Sequence, residues 1–353
     1  KSQNNENRST YAKRVVQKSR LKTANLTTSR RWPTSGASRS VVSSIQIACA
    51  REQTRPRARA DETPRVDFAP HRKTPPPRRR FPQLKKTRAA APRLRLLAFP
   101  NSGSSENVYT GVDKLQGRED NVLMTWARKT GVEVWAAQPP GRDARLKETP
   151  LTTCAEVAKE AYDAASSLGF FDDDAPWALF AHSMSCWSSY EFALLARSNG
   201  KRPPAVFVAS GFPSPSIPIE DRPWNQSRDL NDADFREECR KWRINDVVFG
   251  SQMWSTYEPL LRADFRCFDE YQMGEAAPLS FPVKGVYGTE DDRCTSSKLE
   301  TWSSVAPDFE LLGSVEGHHL FVYDESARKQ WFELVVQALD GAVSPISAGP
   351  PCA

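Results

Sequence analysis

Short apolar runs separated by longer amphipathic stretches dominate the chain from Pro92 onward, and that alternation predicts strands followed by helices. The β-rich runs are Leu94 to Phe99, Val132 to Ala137, Trp177 to Ala181, Ala205 to Ser210, Val283 to Tyr287 and Phe309 to Val315. Between them, Cys154 to Leu168, Met184 to Arg197, Ser296 to Val305 and Glu325 to Leu339 carry helical spacing. This order predicts an α/β domain with a mostly parallel central sheet flanked by helices. Phe212 to Ala277 breaks the alternation, because it separates two strands without a β-run of its own and contains two helical patterns, Asp232 to Trp242 and Glu258 to Tyr271. A long helical insertion of this kind predicts a lid. The expected organisation is a leader over residues 1–91, an α/β domain over 92–341 with its lid at about 212–277, and a flexible Pro/Gly/Ser-rich tail over 342–353.

Charge separates the leader from the domain. Residues 1–90 hold 23 Lys/Arg against 5 Asp/Glu, a net +18, and the remainder carries −12, so the whole-chain +6 averages two unlike regions. The leader is rich in Arg, Ser, Thr and Pro and nearly lacks apolar periodicity, so it is expected to be disordered, since it cannot bury enough surface to offset its ordering entropy. A basic, Ser-rich, acid-poor leader resembles an organellar transit peptide. Basic runs also meet phosphates, yet no nucleic-acid partner is expected, and an extension foreign to the domain explains the same composition, given that the first methionine is Met124. Seven cysteines without CxxC pairing read as reduced thiols of an intracellular protein, cytoplasmic, or plastid if the leader is a transit peptide. No stretch approaches the ~20 apolar residues of a membrane helix, which excludes a helical membrane span.

The chemical signal is Leu179-Phe180-Ala181-His182-Ser183-Met184-Ser185, an apolar strand entering a sharp turn before an amphipathic helix. A serine on such a turn has its hydroxyl lifted above the sheet, with the N-terminus of the next helix behind it. The usual G-x-S-x-G glycines are replaced here by Ala181 and Ser185. A serine needs a base. Of the four histidines, His71 lies in the leader and His182 is expected to point away from the hydroxyl, which leaves His318 and His319, directly after the last strand. An acid should follow the strand Val283 to Tyr287, where Glu290, Asp291 and Asp292 are available, and the order Ser, acid, His then agrees with the α/β-hydrolase fold. Oxyanion donors are expected from the backbone of Met184 and from the loop after the first strand, with Asn101 and Ser102 the candidates.

Together these segments resemble the type II thioesterases that accompany fatty acid, polyketide and nonribosomal peptide synthases. The resemblance runs through Phe99-Pro100-Asn101-Ser102-Gly103-Ser104, Gln138-Pro139-Pro140-Gly141-Arg142, Pro150-Leu151-Thr152, the elbow itself, Leu260-Leu261-Arg262-Ala263-Asp264-Phe265, and the loops at Asp291 and His318. It implies Ser183 as nucleophile, Asp291 as acid and His318 as base, and release or editing of acyl groups through an acyl-enzyme. The implied partners are an acyl or peptidyl carrier protein bearing phosphopantetheine and its synthase, with no metal or redox cofactor and no membrane partner. The triad alone leaves open an ester or acyl-coenzyme A hydrolase or acyltransferase of the same fold, or a catalytically silent interaction protein. Trp224, Phe249, Met253 and Trp254 are candidates for an acyl pocket, with a core role as the simpler reading. Arg222, Arg236, Arg240, Lys241 and Arg243 are candidates for docking a carrier.

Overall fold

All six expected strands form one parallel sheet in the computed structural model, which describes residues 77–113 and 119–343. They are β1 (Leu94–Phe99), β2 (Val132–Ala136), β3 (Trp177–His182), β4 (Phe207–Ser210), β5 (Val283–Gly288) and β6 (Phe309–Val315), in the spatial order β2-β1-β3-β4-β5-β6. Every neighbouring pair is parallel, with Ala98 opposite Ala136 and Phe180, and His182 opposite Ser210. The principal helices are α1 (Val122–Thr130), α2 (Cys154–Ser167), α3 (Ser185–Ser198), α4 (Asp232–Lys241), α5 (Ser251–Asp269) and α6 (Glu325–Asp340).

Strand periodicity assigns the two faces. In β3, Trp177, Leu179 and Ala181 face α2, α3 and the lid helices, whereas Ala178 and Phe180 face α1 and α6. Both faces are therefore dry, as a parallel sheet requires. Helix α1 was not among the expected elements. Its signals are short ones: the Asn121 side chain caps it by accepting from the Met124 N–H, and Gly131, at φ +74°, ends it. Ser296 to Val305 is a helical turn, Ser296–Leu299, continued by a 3-10 segment, Glu300–Ser304. The lid helix α5 starts at Ser251 rather than Glu258 and runs through Pro259, the residue whose missing donor argues against a helix there.

The packed chain starts before residue 92, which moves the expected domain boundary. Phe81 is buried edge-on against Trp135, with ring centroids 5.2 Å apart. The Val134 N–H donates to Thr87 Oγ1 at 2.9 Å, the Gln138 N–H to the Arg80 carbonyl at 2.8 Å, and the Ala89 N–H to the buried carboxylate of Glu133 at 3.1 Å. Residues 80–89 thus form a strap along β2, the edge strand, and supply partners to an edge that would otherwise lie bare. The leader expectation for residues 1–76 and the tail expectation for residues 344–353 lie outside the described residues. Among the described residues, no helix is long and apolar enough to cross a membrane, and the five cysteines are buried and free.

Candidate active site

Between the end of β3 at His182 and the start of α3 at Ser185, two residues make the whole turn. Ser183 is held at φ +61°, a left-handed conformation that a non-glycine residue adopts only where its surroundings impose it. The surroundings are visible: the Ser183 N–H donates to the Ser210 carbonyl at 2.8 Å, continuing the β3–β4 ladder through the turn, and the Ser183 carbonyl accepts from Cys186 at 2.9 Å as α3 begins. This is the nucleophile-elbow geometry.

Ser183 Oγ lies 2.8 Å from His319 Nε2, and His319 Nδ1 lies 2.7 Å from Asp291 Oδ2. All three residues are buried. With the carboxylate accepting from Nδ1–H, Nε2 is the bare nitrogen, oriented to accept the serine proton. The other carboxylate oxygen of Asp291 accepts from the N–H groups of Arg293 (3.1 Å) and Cys294 (2.9 Å). Burial pushes this carboxyl up, but His319 and these two donors outweigh it and bring it down to about 2.

The imidazole that joins Ser183 to Asp291 is therefore that of His319 and not that of His318, the histidine that the resemblance implied. His318 turns away: its Nδ1 accepts from the Leu320 N–H within its own loop, and burial, with Arg243 next, depresses its basicity. The register follows from the turn at Gly317, whose φ of +123° only glycine tolerates, so that the second histidine faces the sheet ends. The acid loop and base loop are joined by backbone, with Thr289 N–H donating to the Val315 carbonyl and Glu290 N–H to the Gly317 carbonyl, both at 2.9 Å. Gly288 makes this closeness feasible, since a Cβ there would stand 2.6 Å from the Gly317 carbonyl oxygen.

His182, on the elbow itself, has a supporting place that the sequence pattern does not reveal. Its Nε2 donates to the His319 backbone carbonyl at 2.9 Å and its Nδ1 accepts from the Ser210 hydroxyl at 3.1 Å. Burial lowers its pKa to about 3, so it stays neutral and serves as a fixed strut under the base loop.

Met184 stands at the N-cap of α3, and Asn101 and Ser102 line the space over Ser183. Above them the roof is Trp242, Ile244, Phe265 and Phe268, with the Trp242 ring 4.7 Å from that of His319. The acyl-pocket candidates lie elsewhere: Trp224 stacks on Phe212 and Phe249 packs on Trp254, within the lid core. The basic cluster also divides. Arg222 is buried and donates to the carbonyls of Phe268, Asp269 and Tyr271, while Arg236 and Arg240 are paired with Asp232 and Asp246. Among the described residues, Asp291, Cys294 and His319 form one group with metal-ligand chemistry, their donor atoms within 4.8 Å, but two of the three are already engaged in the relay.

A parallel sheet that presents an elbow serine after β3, an acid after β5 and a histidine after β6 defines an α/β hydrolase. More narrowly, the chain belongs to the thioesterase-domain family, which matches residues 122–338, and it is a thioesterase. The gramicidin S biosynthesis protein GrsT of Aneurinibacillus migulanus is 25% identical over 258 residues, covering 72% of this chain and 93% of that protein. The RedJ thioesterase from the prodiginine biosynthetic pathway in Streptomyces coelicolor superposes with a TM-score of 0.59 at 25% identity, over 77% of this chain and 96% of that one. The type II thioesterase YbtT from the yersiniabactin pathway shares the fold, with a TM-score of 0.57 at 20% identity over 72% of this chain and 96% of that one.

Proposed function

We propose that this chain is a serine thioesterase that hydrolyses acyl groups from the phosphopantetheine arm of a carrier protein belonging to a peptide or polyketide synthase. The observation that carries the reading is the buried relay Ser183, His319, Asp291 at 2.8 and 2.7 Å on a strained elbow. Likeness to GrsT and RedJ, both named for biosynthetic pathways, supports the substrate class. In this mechanism Ser183 Oγ attacks the thioester carbonyl as His319 Nε2 takes its proton. Asp291 holds the imidazole tautomer and stabilises the imidazolium. The oxyanion is received by the backbone N–H of Met184 and by that of Asn101 or Ser102, each donor worth about 3 kcal/mol of barrier. The thiol of the pantetheine arm leaves with the proton from His319, and a water activated by the same nitrogen then cleaves the acyl-enzyme. The space over Ser183, partly open to solvent, amounts to about 20 Å³, room for a water or two, with the lid residues as its roof.

The test is turnover of one acyl group presented on a carrier protein, on coenzyme A and as a p-nitrophenyl ester, for the wild type and Ser183→Ala. The expected result is a preference for the carrier and loss of all three activities in the variant. Equal turnover of the three would reduce the reading to a general ester and thioester hydrolase.

A further inference from the structure

The loop that follows β1, residues 100–104, is held at both of its ends by side chains from the elbow and from the lid. On the elbow side, the Ser185 hydroxyl donates to the Pro100 carbonyl. On the lid side, Asp264 of α5 accepts the Gly103 N–H at 2.7 Å through the same carboxylate oxygen that meets Arg142 at 3.1 Å, and its other oxygen meets Arg142 at 2.7 Å. Arg142 also donates to the Ser104 carbonyl at 3.0 Å, and both members of the pair are almost fully buried. Gly103, at φ +68°, lies under Leu261 of the same helix, where a Cβ would stand 3.0 Å from the Leu261 side chain. A buried ion pair is poor evidence of stabilisation, because desolvation offsets its attraction. Its geometric consequence is firmer: the two donors on either side of the oxyanion come from separate elements, α3 and this loop, so their register depends on contacts made between those elements.

We propose that Ser185 and the Arg142–Asp264 pair are positioning residues that hold the Asn101–Ser102 backbone opposite the Met184 N–H, and so complete the oxyanion site. This rests on the serine-thioesterase reading above. Ser185 stands where the elbow pattern has glycine, and a glycine could not make the Pro100 contact, so the substitution adds an anchor. The paired ion also fixes α5 to the loop.

The experiment uses the full chain with a carrier-bound acyl substrate, with Ser183→Ala as the control that defines turnover at the proposed nucleophile. Ser185→Ala is expected to lower kcat on the order of tenfold, about the effect of one lost hydrogen bond. Because removing Asp264 alone strands a buried cation, the informative lid-side variant is Asp264→Leu with Arg142→Met, an apolar replacement of similar volume that a core can tolerate. It is expected to lower kcat roughly 10²-fold, the range for loss of one oxyanion donor, with KM within about threefold. Affinity for an acyl trifluoromethyl ketone, which forms an oxyanion on the serine, should fall in parallel with kcat/KM in both variants. Folded variants that keep kcat and ketone affinity within about twofold would overturn the proposal, as would a rise in KM without change in kcat. An active wild type whose turnover survives Ser183→Ala would instead overturn the underlying reading.

Discussion

The strand ends and the lid both wall the space over Ser183, yet they hold their residues in different ways. At the strand ends, Ser183 and Asp291 are placed by backbone: the Ser183 N–H extends the β3–β4 ladder, and Asp291 sits in a turn closed by its N–H on the Gly288 carbonyl. In the lid, placement comes from side chains, with Trp242 set between His319 and Phe268 and Arg222 spanning three carbonyls. Backbone placement follows from strand register, which a sequence pattern reports. Side-chain placement follows from packing between segments far apart in the chain, which the pattern does not report.

The largest effect is expected at the histidine pair, where a backbone turn decides a chemical role. His319→Ala is expected to lower kcat by about 10⁴-fold or more, because it removes the proton acceptor of the relay. His318→Ala should stay within a few-fold, as its ring bonds only within its own loop. The check is steady-state turnover of both variants against the wild type. The opposite ranking would place the base at His318 and contradict the relay geometry.

This pair also marks the limit of what the sequence made legible. The strands and their sequence along the chain, the elbow, the acid loop after β5 and the existence of a helical lid all follow from local patterns, because each depends on a run of residues or on the end of a strand, whereas Asp291 was singled out from its neighbours only by the family resemblance. The choice between adjacent histidines depends on one dihedral angle at Gly317, which leaves no trace in hydrophobic pattern. The strap escaped for a related reason: each of its contacts is a single residue, Phe81, Thr87 or Ala89, set in a basic stretch that reads as unstructured. The signal that was present is Phe81 and Leu84 at a spacing of three just ahead of β1. Arg222 was misplaced because charge argued for the surface, while three helix-end carbonyls make a buried guanidinium acceptable.

The strap gives the next largest effect. Phe81→Ala should cost about 3–5 kcal/mol, the usual range for emptying a buried phenylalanine site, measured by chemical denaturation. Turnover per folded molecule should change little, since the strap lies on the outer edge of β2, away from Ser183. A cost below about 1 kcal/mol would mean that the domain does begin near residue 92 and that the strap only rests on it.

Within the lid, Arg222 separates a packing role from a docking role. Arg222→Met should remove donors from three buried carbonyls and cost about 1–3 kcal/mol, while leaving KM for a carrier substrate unchanged. Denaturation together with carrier kinetics separates the two roles. Unchanged stability with a several-fold rise in KM would return Arg222 to the docking surface that its charge suggested.

A pH-dependent effect of similar size concerns Asp269, at the end of α5, where the lid stores a cost. One of its carboxylate oxygens accepts from the Ser227 N–H at 2.8 Å and from the Ser227 hydroxyl, and the other is buried with no partner among the described residues. Burial raises its pKa to about 6 despite those donors and nearby Arg222. Between the ordinary carboxylate value and about 6 this group therefore holds a proton in the folded protein that it has released in the unfolded chain, so its contribution to stability falls as pH rises through this window and levels off above it. Across the whole window the loss amounts to roughly 2–3 kcal/mol. Asp291 and His182 titrate in the opposite sense, and His182, its pKa lowered to about 3, does so across this same window, so the group shows in the difference between two proteins and not in the slope of one. Urea denaturation of the wild type and Asp269→Asn from pH 4 to 7 isolates the group. The variant is expected to lack this part of the slope and to be the more stable protein at pH 7, because its amide can accept from Ser227 without carrying a buried charge. Parallel curves for the two proteins would show that water or a cation reaches the second oxygen, and that this end of the lid is wetter than its packing implies.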